Sequence, residues 1–123
     1  MNNVLVVEDG LIIALHIQKL LSSRGYNVVG KLKYGEEVEE AVRNLDPNLI
    51  IMDIMLEGDM TGIGSAHNIR KFSDIPIIFM SALTDPETMS DVTHISNSIK
   101  MNKPFEEESF VKAINGMLQP DNV

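Results

Sequence analysis

Four short apolar runs, each ending in polar residues, constrain the fold of this chain more than any other feature. Val4-Leu5-Val6-Val7 runs into Glu8-Asp9, and Leu49-Ile50-Ile51-Met52 runs into Asp53. Ile75-Pro76-Ile77-Ile78-Phe79-Met80 runs into Ser81, and a shorter run around Ile99 and Met101 leads to Lys103-Pro104. Runs this short, rich in β-branched residues and separated by helical patterns, read as buried parallel strands. In an open parallel sheet, ligands bind outside the carboxyl ends of the strands, where the strand order reverses. Three carboxylates, a hydroxyl and an amine are thereby delivered to one edge of one sheet.

The intervening segments carry helix punctuation. After Gly10, the apolar positions Leu11, Ile12, Ala14, Leu15, Ile17, Leu20 and Leu21 recur at helical spacing, and Arg24-Gly25 is the expected stop. Tyr26 to Gly30 reads as a second strand. Tyr34-Gly35 opens a helix with Glu36, Glu37, Glu39 and Glu40 in its first turns, where acids favour the positive end of the helix dipole. Asp46-Pro47 ends it. The stretch Glu57 to Gly62 is a loop rich in turn formers, followed by a helix striped with Ile63, Ala66, Ile69 and Phe72. Asp85-Pro86 reads as an N-cap and a first-turn proline for a weak helix from Thr88 to about Ile95. Glu106 to Glu108 begin a last helix carrying Phe110, Val111, Ile114, Met117 and Leu118. Strand then helix recurs five times.

With 123 residues, the chain fits a single domain over 1–123, with a core of about 4–118, a short tail from Pro120 and no output domain. A net charge of -8 argues against direct binding to nucleic acid, whose phosphates would repel it. The absence of cysteine excludes disulfides and thiol catalysis and favours a reducing compartment. Met1-Asn2-Asn3 leads into a strand without the basic start and apolar core of a signal peptide, and no apolar run approaches the roughly 20 residues that span a bilayer. A soluble protein of the cytoplasm, without membrane partners, is the expectation.

Glu8, Asp9 and Asp53 together make a set of hard oxygen ligands. Three carboxylates at close range repel one another, so the set is stable chiefly when it holds a cation or a proton. Mg²⁺ suits it, because this ion takes one or two carboxylates, keeps several waters and bridges to phosphate oxygens. Taken singly, each acid has a plainer use, since Asp9 before Leu11 could cap a helix and Asp53 could begin a turn. Ser81 and Lys103 alter the balance: a hydroxyl and an ammonium beside a carboxylate–metal set meet the charge that builds on a phosphoryl group during transfer. Without a phosphate present, Lys103 is expected to rest in a salt bridge with one of the carboxylates. His16, His67 and His94 share no ligand-like spacing and read as structural, and the eight methionines read mostly as core filler.

As an ordered set, these residues resemble the response-regulator receiver domain from Val4 to about Leu118. The resemblance rests on Glu8-Asp9, Asp53 followed by Ile54-Met55-Leu56, Met60-Thr61-Gly62-Ile63, Asp74 to Ser81 with Ala82 after it, and Lys103-Pro104-Phe105. It implies a flavodoxin-like α/β fold, a doubly wound five-stranded parallel sheet of order 2-1-3-4-5 with five helices. It implies further that Asp53 accepts a phosphoryl group from phosphohistidine on a sensor histidine kinase or histidine phosphotransfer protein. Glu8, Asp9, Asp53 and the backbone carbonyl of Met55 would hold Mg²⁺, and Ser81 and Lys103 would bind phosphoryl oxygens. Output would pass to a downstream protein target, and a homodimer is compatible with the same family. Met55 and Leu83 are apolar beside the expected path of attacking water.

The chain departs from the family at Lys100, which stands where an aromatic residue usually switches between outward and inward positions. A lysine cannot enter an apolar pocket without losing hydration. Lys100 is therefore expected to stay exposed, leaving the loop after Ser81 and the weak fourth helix to carry the signal. Two alternatives stand beside a phosphoryl-accepting switch: a pseudo-receiver that binds partners without using phosphate, and a small Mg²⁺-dependent phosphohydrolase.

Overall fold

The computed structural model describes residues 2–82 and 86–118. Strands β1 (Asn3–Val7), β2 (Asn27–Leu32), β3 (Leu49–Asp53), β4 (Ile77–Ser81) and β5 (Ser98–Asn102) alternate with helices α1 (Leu11–Ser23), α2 (Val38–Leu45), α3 (Gly62–Arg70), α4 (Pro86–Thr93) and α5 (Glu107–Leu118). All strand pairs are parallel and the sheet order is β2-β1-β3-β4-β5, as the sequence implies. The order reverses beside β1, which opens a crevice at the carboxyl ends of β1 and β3.

Strand alternation divides the core into two layers. Val4 and Val6 of β1 face Ile17, Leu20 and Leu21 of α1 and Phe110 and Ile114 of α5. Leu5 and Val7 belong to the opposite layer, with Val38 and Val42 of α2, Ala66 and Ile69 of α3 and, toward the β5 edge, Val92 of α4. Strands covered on both faces must be apolar throughout, which is why β1, β3 and β4 read as continuous runs rather than alternating ones. Each buried Val, Leu or Ile contributes about 1.5–3 kcal/mol over leaving it exposed. β2 and β5 are the edges and are only partly buried, and this is where polar residues enter the strands.

Most boundaries fall where the punctuation places them. Gly25 closes the turn after α1 with φ +89°, a conformation that glycine adopts without a Cβ clash. Asp46 ends α2 in the left-handed region at φ 47°. Three differences have physical causes. β2 continues past Gly30 to Leu32, because the register shifts between Val4 and Leu5 and lets Lys31 and Leu32 pair with Val6 and Val7. The acids after Tyr34 begin with a 3-10 turn, Gly35–Glu37, before α2. Phe72 lies beyond α3, where its ring packs under the Arg43 guanidinium at 3.8 Å. The expected N-cap Asp85, together with Leu83 and the tail from Pro120, lies outside the described residues.

At the end of the sheet opposite the crevice, Arg70 ties α3 to the turn before β5. Its guanidinium donates to the carbonyls of Ser73 (3.2 Å), Ser96 (2.8 and 3.0 Å) and Asn97 (3.2 Å). Burial lowers its pKa, against a weaker opposing pull from Asp74, yet guanidinium remains charged at any ordinary pH. Charged hydrogen bonds of this kind are worth about 1.5–3 kcal/mol each, and not additively. Arg70→Ala is therefore expected to lower unfolding free energy in urea by about 3 kcal/mol.

Candidate functional site

Each strand that reaches the crevice delivers one part of the site. Glu8 follows β1 and is 5% exposed, held in line because its N–H donates to Leu32 O at 2.9 Å. Asp53 is the last residue of β3 and is 6% exposed. Ser81 ends β4 and is buried. Lys103 follows β5, and its backbone N–H donates to Ser81 O at 2.9 Å, extending the β4–β5 ladder by one residue. The Lys103–Pro104 peptide bond is cis.

Glu8, Asp9 and Asp53 each offer a carboxylate oxygen, all within 4.8 Å of one another. Lys103 Nζ lies between two of them, donating to Glu8 Oε1 at 2.6 Å and Asp53 Oδ2 at 2.7 Å. The expected salt bridge with one carboxylate is thus a bridge across two. The remaining oxygens are also engaged: Gly10 N–H donates to Glu8 Oε2 at 2.9 Å, and Met55 N–H donates to Asp53 Oδ1 at 3.2 Å. Asp9, only partly buried, is the acid that Lys103 does not hold.

The electrostatics follow from this crowding. Desolvation, the largest single influence on Lys103, pulls its pKa down, but hydrogen bonds and attraction to Asp53 and Glu8 together leave it raised above 10.5. A raised lysine pKa stabilises the folded state fully below the unfolded value, and that contribution is lost as pH rises through the folded value. The bridge therefore persists across the neutral range and opens only in strong alkali. One ammonium facing three acids leaves formal negative charge at the crevice, and the all-oxygen donor set suits a hard cation such as Mg²⁺.

The loop between β3 and α3 is pressed against Asp53. Gly62 N–H donates to Ile54 O at 2.9 Å, and a Cβ on Gly62 would lie 2.2 Å from Asp53 O. Only glycine permits that approach. Thr61 Oγ1 caps α3 by accepting from Gly64 N–H at 3.1 Å, and the loop is pinned from behind by a bridge between Glu57 and Tyr34. Sequence reasoning identified the charged side chains but not the Gly10 and Met55 N–H donors or the role of Gly62. A glycine inside a turn-rich loop gives no sign of which backbone it must approach.

Lys100 is half-buried, and its Nζ donates to Asn102 Oδ1 at 2.8 Å, so the ammonium stays at the surface as expected. The histidines do not meet. His16 Nε2 lies 3.0 Å from Glu107 Oε2 and its ring stacks on Phe105, consistent with a structural role. Around the crevice the surface is apolar instead: Leu11, Ile12 (81% exposed) and Met55 all face solvent. Beside them Ile13, His16, Ala82, Lys103, Pro104 and Phe105 line a groove of about 380 Å³.

Comparison with known proteins agrees with this geometry. The family model described as "Response regulator receiver domain" matches residues 4–115. Response regulator RR06 of Streptococcus pneumoniae is 32% identical over 117 residues, covering 95% of this chain and 53% of that protein. Chemotaxis protein CheY of Thermotoga maritima is 27% identical over 113 residues, covering 91% of this chain and 93% of that protein. The chain spans about half the length of several curated relatives it matches. Among solved structures, the signal receiver domain of a modulated diguanylate cyclase from Desulfovibrio desulfuricans superimposes with a TM-score of 0.89 at 29% identity, covering 98% of this chain and 95% of that one. Among the described residues no helix is long and apolar enough to cross a membrane.

Proposed function

The chain belongs to the response regulator receiver domain family of two-component signalling, and on that premise we propose that it is a phosphoryl-accepting switch in which Asp53 is the acceptor. The observation that carries this is the convergence of Glu8, Asp9 and Asp53 at the sheet's carboxyl edge, with Lys103 Nζ bridging Glu8 and Asp53. An Asp53 carboxylate oxygen attacks phosphorus of a phosphohistidine. The P–O bond forms as the P–N bond breaks, and the imidazole leaves with a proton from solvent. Glu8, Asp9, Asp53 and the Met55 carbonyl would hold Mg²⁺, which neutralises charge on the phosphoryl oxygens. The Met55 N–H fixes the Asp53 carboxylate, the Lys103 ammonium turns from the carboxylates to the phosphoryl group, and the Ser81 hydroxyl donates to it. A cytoplasmic signalling domain, fed by a histidine kinase or phosphotransfer protein and read by a downstream protein target, is the corresponding place in the cell.

The exposed apolar residues suit the donor. Leu11, Ile12 and Met55 ring the crevice, where a phosphohistidine-bearing helix must approach, and apolar contact there would exclude water from the transfer. Incubation with a phosphorylated histidine phosphotransfer domain and Mg²⁺ tests the proposal: one phosphoryl group should move to the chain. Absence of transfer favours the pseudo-receiver, and steady turnover of p-nitrophenyl phosphate favours the hydrolase. Ile12→Glu should slow that transfer at least about tenfold, the effect of losing roughly 1.4 kcal/mol of docking energy. Labelling by acetyl phosphate, which needs no docking, should be unaffected.

A further inference from the structure

We infer that the cleft between β2 and α2 is a docking site for a basic segment of a partner protein, one that presents an apolar side chain among lysines or arginines. The site lies outside the Asp53 crevice and requires no phosphoryl group.

Leu32, Ala41 and Leu45 line a cleft of about 370 Å³ together with Glu36, Glu37 and Glu40. That volume falls within the roughly 300–1,000 Å³ of sites that take ligands. Leu32 and Ala41 pack on the core but keep part of their surface in water, and Leu45 is 41% exposed. The helix dipole accounts for acids at the start of α2. It does not account for an apolar surface left open beside them, nor for the lack of a counter-charge. Among the described residues, the side chains of Glu36, Glu37 and Glu40 make no ion pair or hydrogen bond. Arg43, the basic residue of α2, is taken by Glu39 at 3.5 Å and by the Phe72 ring. Lys31 and Lys33 alternate to the other face of β2, where they line a separate cavity with Asp9 and Leu11.

The chemistry of the occupant follows. A single metal ion does not fit, because these three carboxylates do not converge within 4.8 Å as those of Glu8, Asp9 and Asp53 do. Separated acids around an apolar surface match separated cations around an apolar side chain, with water excluded at the centre and charges paired at the rim. A second copy of this chain is disfavoured, since each copy carries a net charge of -8. The cleft also shares its support with the crevice. Tyr34 forms a β-bridge with Glu57, and the Ser65 hydroxyl donates to Gly35 O at 2.5 Å. The Glu36 carboxylate lies 3.0 Å from where a Cβ on Gly58 would stand. A segment seated against Glu36 therefore rests on the loop that follows Asp53.

Amide spectra of the full chain, without Mg²⁺ or a phosphodonor, titrated with a short peptide alternating arginine and leucine, test the site. Saturable shifts should centre on Glu36 to Leu45 and extend to Glu57 and Gly58. The counterpart peptide with glutamate for arginine should give none. Glu37→Gln combined with Glu40→Gln, both at exposed side chains, should weaken binding about fivefold or more. Glu87→Gln combined with Asp91→Asn removes the same charge from α4 and should leave binding unchanged. Absence of saturable shifts, shifts centred on Glu8 and Asp9 instead, or equal weakening by the α4 pair overturns the proposal. So does movement of the cleft amides on dilution without peptide, which would assign the cleft to a second copy.

Discussion

Lys103→Met should slow Mg²⁺-dependent phosphoryl labelling about 10²-fold or more, the usual loss when one donor to a developing oxyanion is removed. Methionine keeps the length and apolar character of the lysine stem, so the groove beside Phe105 stays filled. The ammonium is what disappears. In the resting site it holds Glu8 and Asp53 together at 2.6 and 2.7 Å, and its loss leaves two nearly buried carboxylates facing each other and Asp9. The metal-free variant is accordingly expected to lose about 2–3 kcal/mol of stability, somewhat less than for a fully buried pair because Lys103 keeps some contact with water. Mg²⁺ should bind the variant at least as tightly as wild type, since the competing ammonium is gone. Slow labelling with unimpaired metal affinity, measured by calorimetric titration, would place Lys103 on the phosphoryl group. A parallel fall in both would mean that it only shapes the acid cluster.

Gly62→Ala should be the most damaging single methyl group in the chain. The added Cβ would sit 2.2 Å from Asp53 O and 3.1 Å from Ile54 Cα, so it meets backbone rather than a side chain that can turn away. Either the β3–α3 loop lifts, breaking the Gly62 N–H bond to Ile54 O, or β3 bends at its functional residue. The expected cost is at least about 3 kcal/mol in urea unfolding, at the upper end for overpacking. Labelling of the folded fraction should also fall, because Asp53 and Met55 lose their relative placement. Gly64→Ala is the control. It lies in the same helix, but its Cβ would meet only side-chain atoms at 3.5 and 3.6 Å, and alanine favours helix over glycine by about 1 kcal/mol. That variant should be neutral or slightly stabilised.

The sheet order, the two-layer core and the convergence of the three acids with Lys103 follow from features a sequence displays. Continuous apolar runs mark central strands, helical spacing marks their cover, and the residues that end the runs must share an edge. What escaped were contacts made by backbone. Gly10 and Met55 act through their N–H groups, which carry no side-chain signature, and the pressure of Gly62 on Asp53 depends on a loop path that turn-forming residues permit without dictating. The end of β2 is hidden in the sequence because the edge strand carries Lys31 among its paired residues, and polarity there imitates a strand's end. Lys100 was legible as an exception, but its partner Asn102 was not, since a two-residue spacing on one strand face becomes a contact only when both side chains lean together.

Intact mass after incubation with Mg²⁺ and acetyl phosphate, for wild type and Asp53→Asn, tests the acceptor role most directly. Wild type should gain one phosphoryl group, lost on chelating Mg²⁺ beforehand, and Asp53→Asn should gain none while remaining folded. An equal gain in Asp53→Asn, or none in wild type, would contradict it.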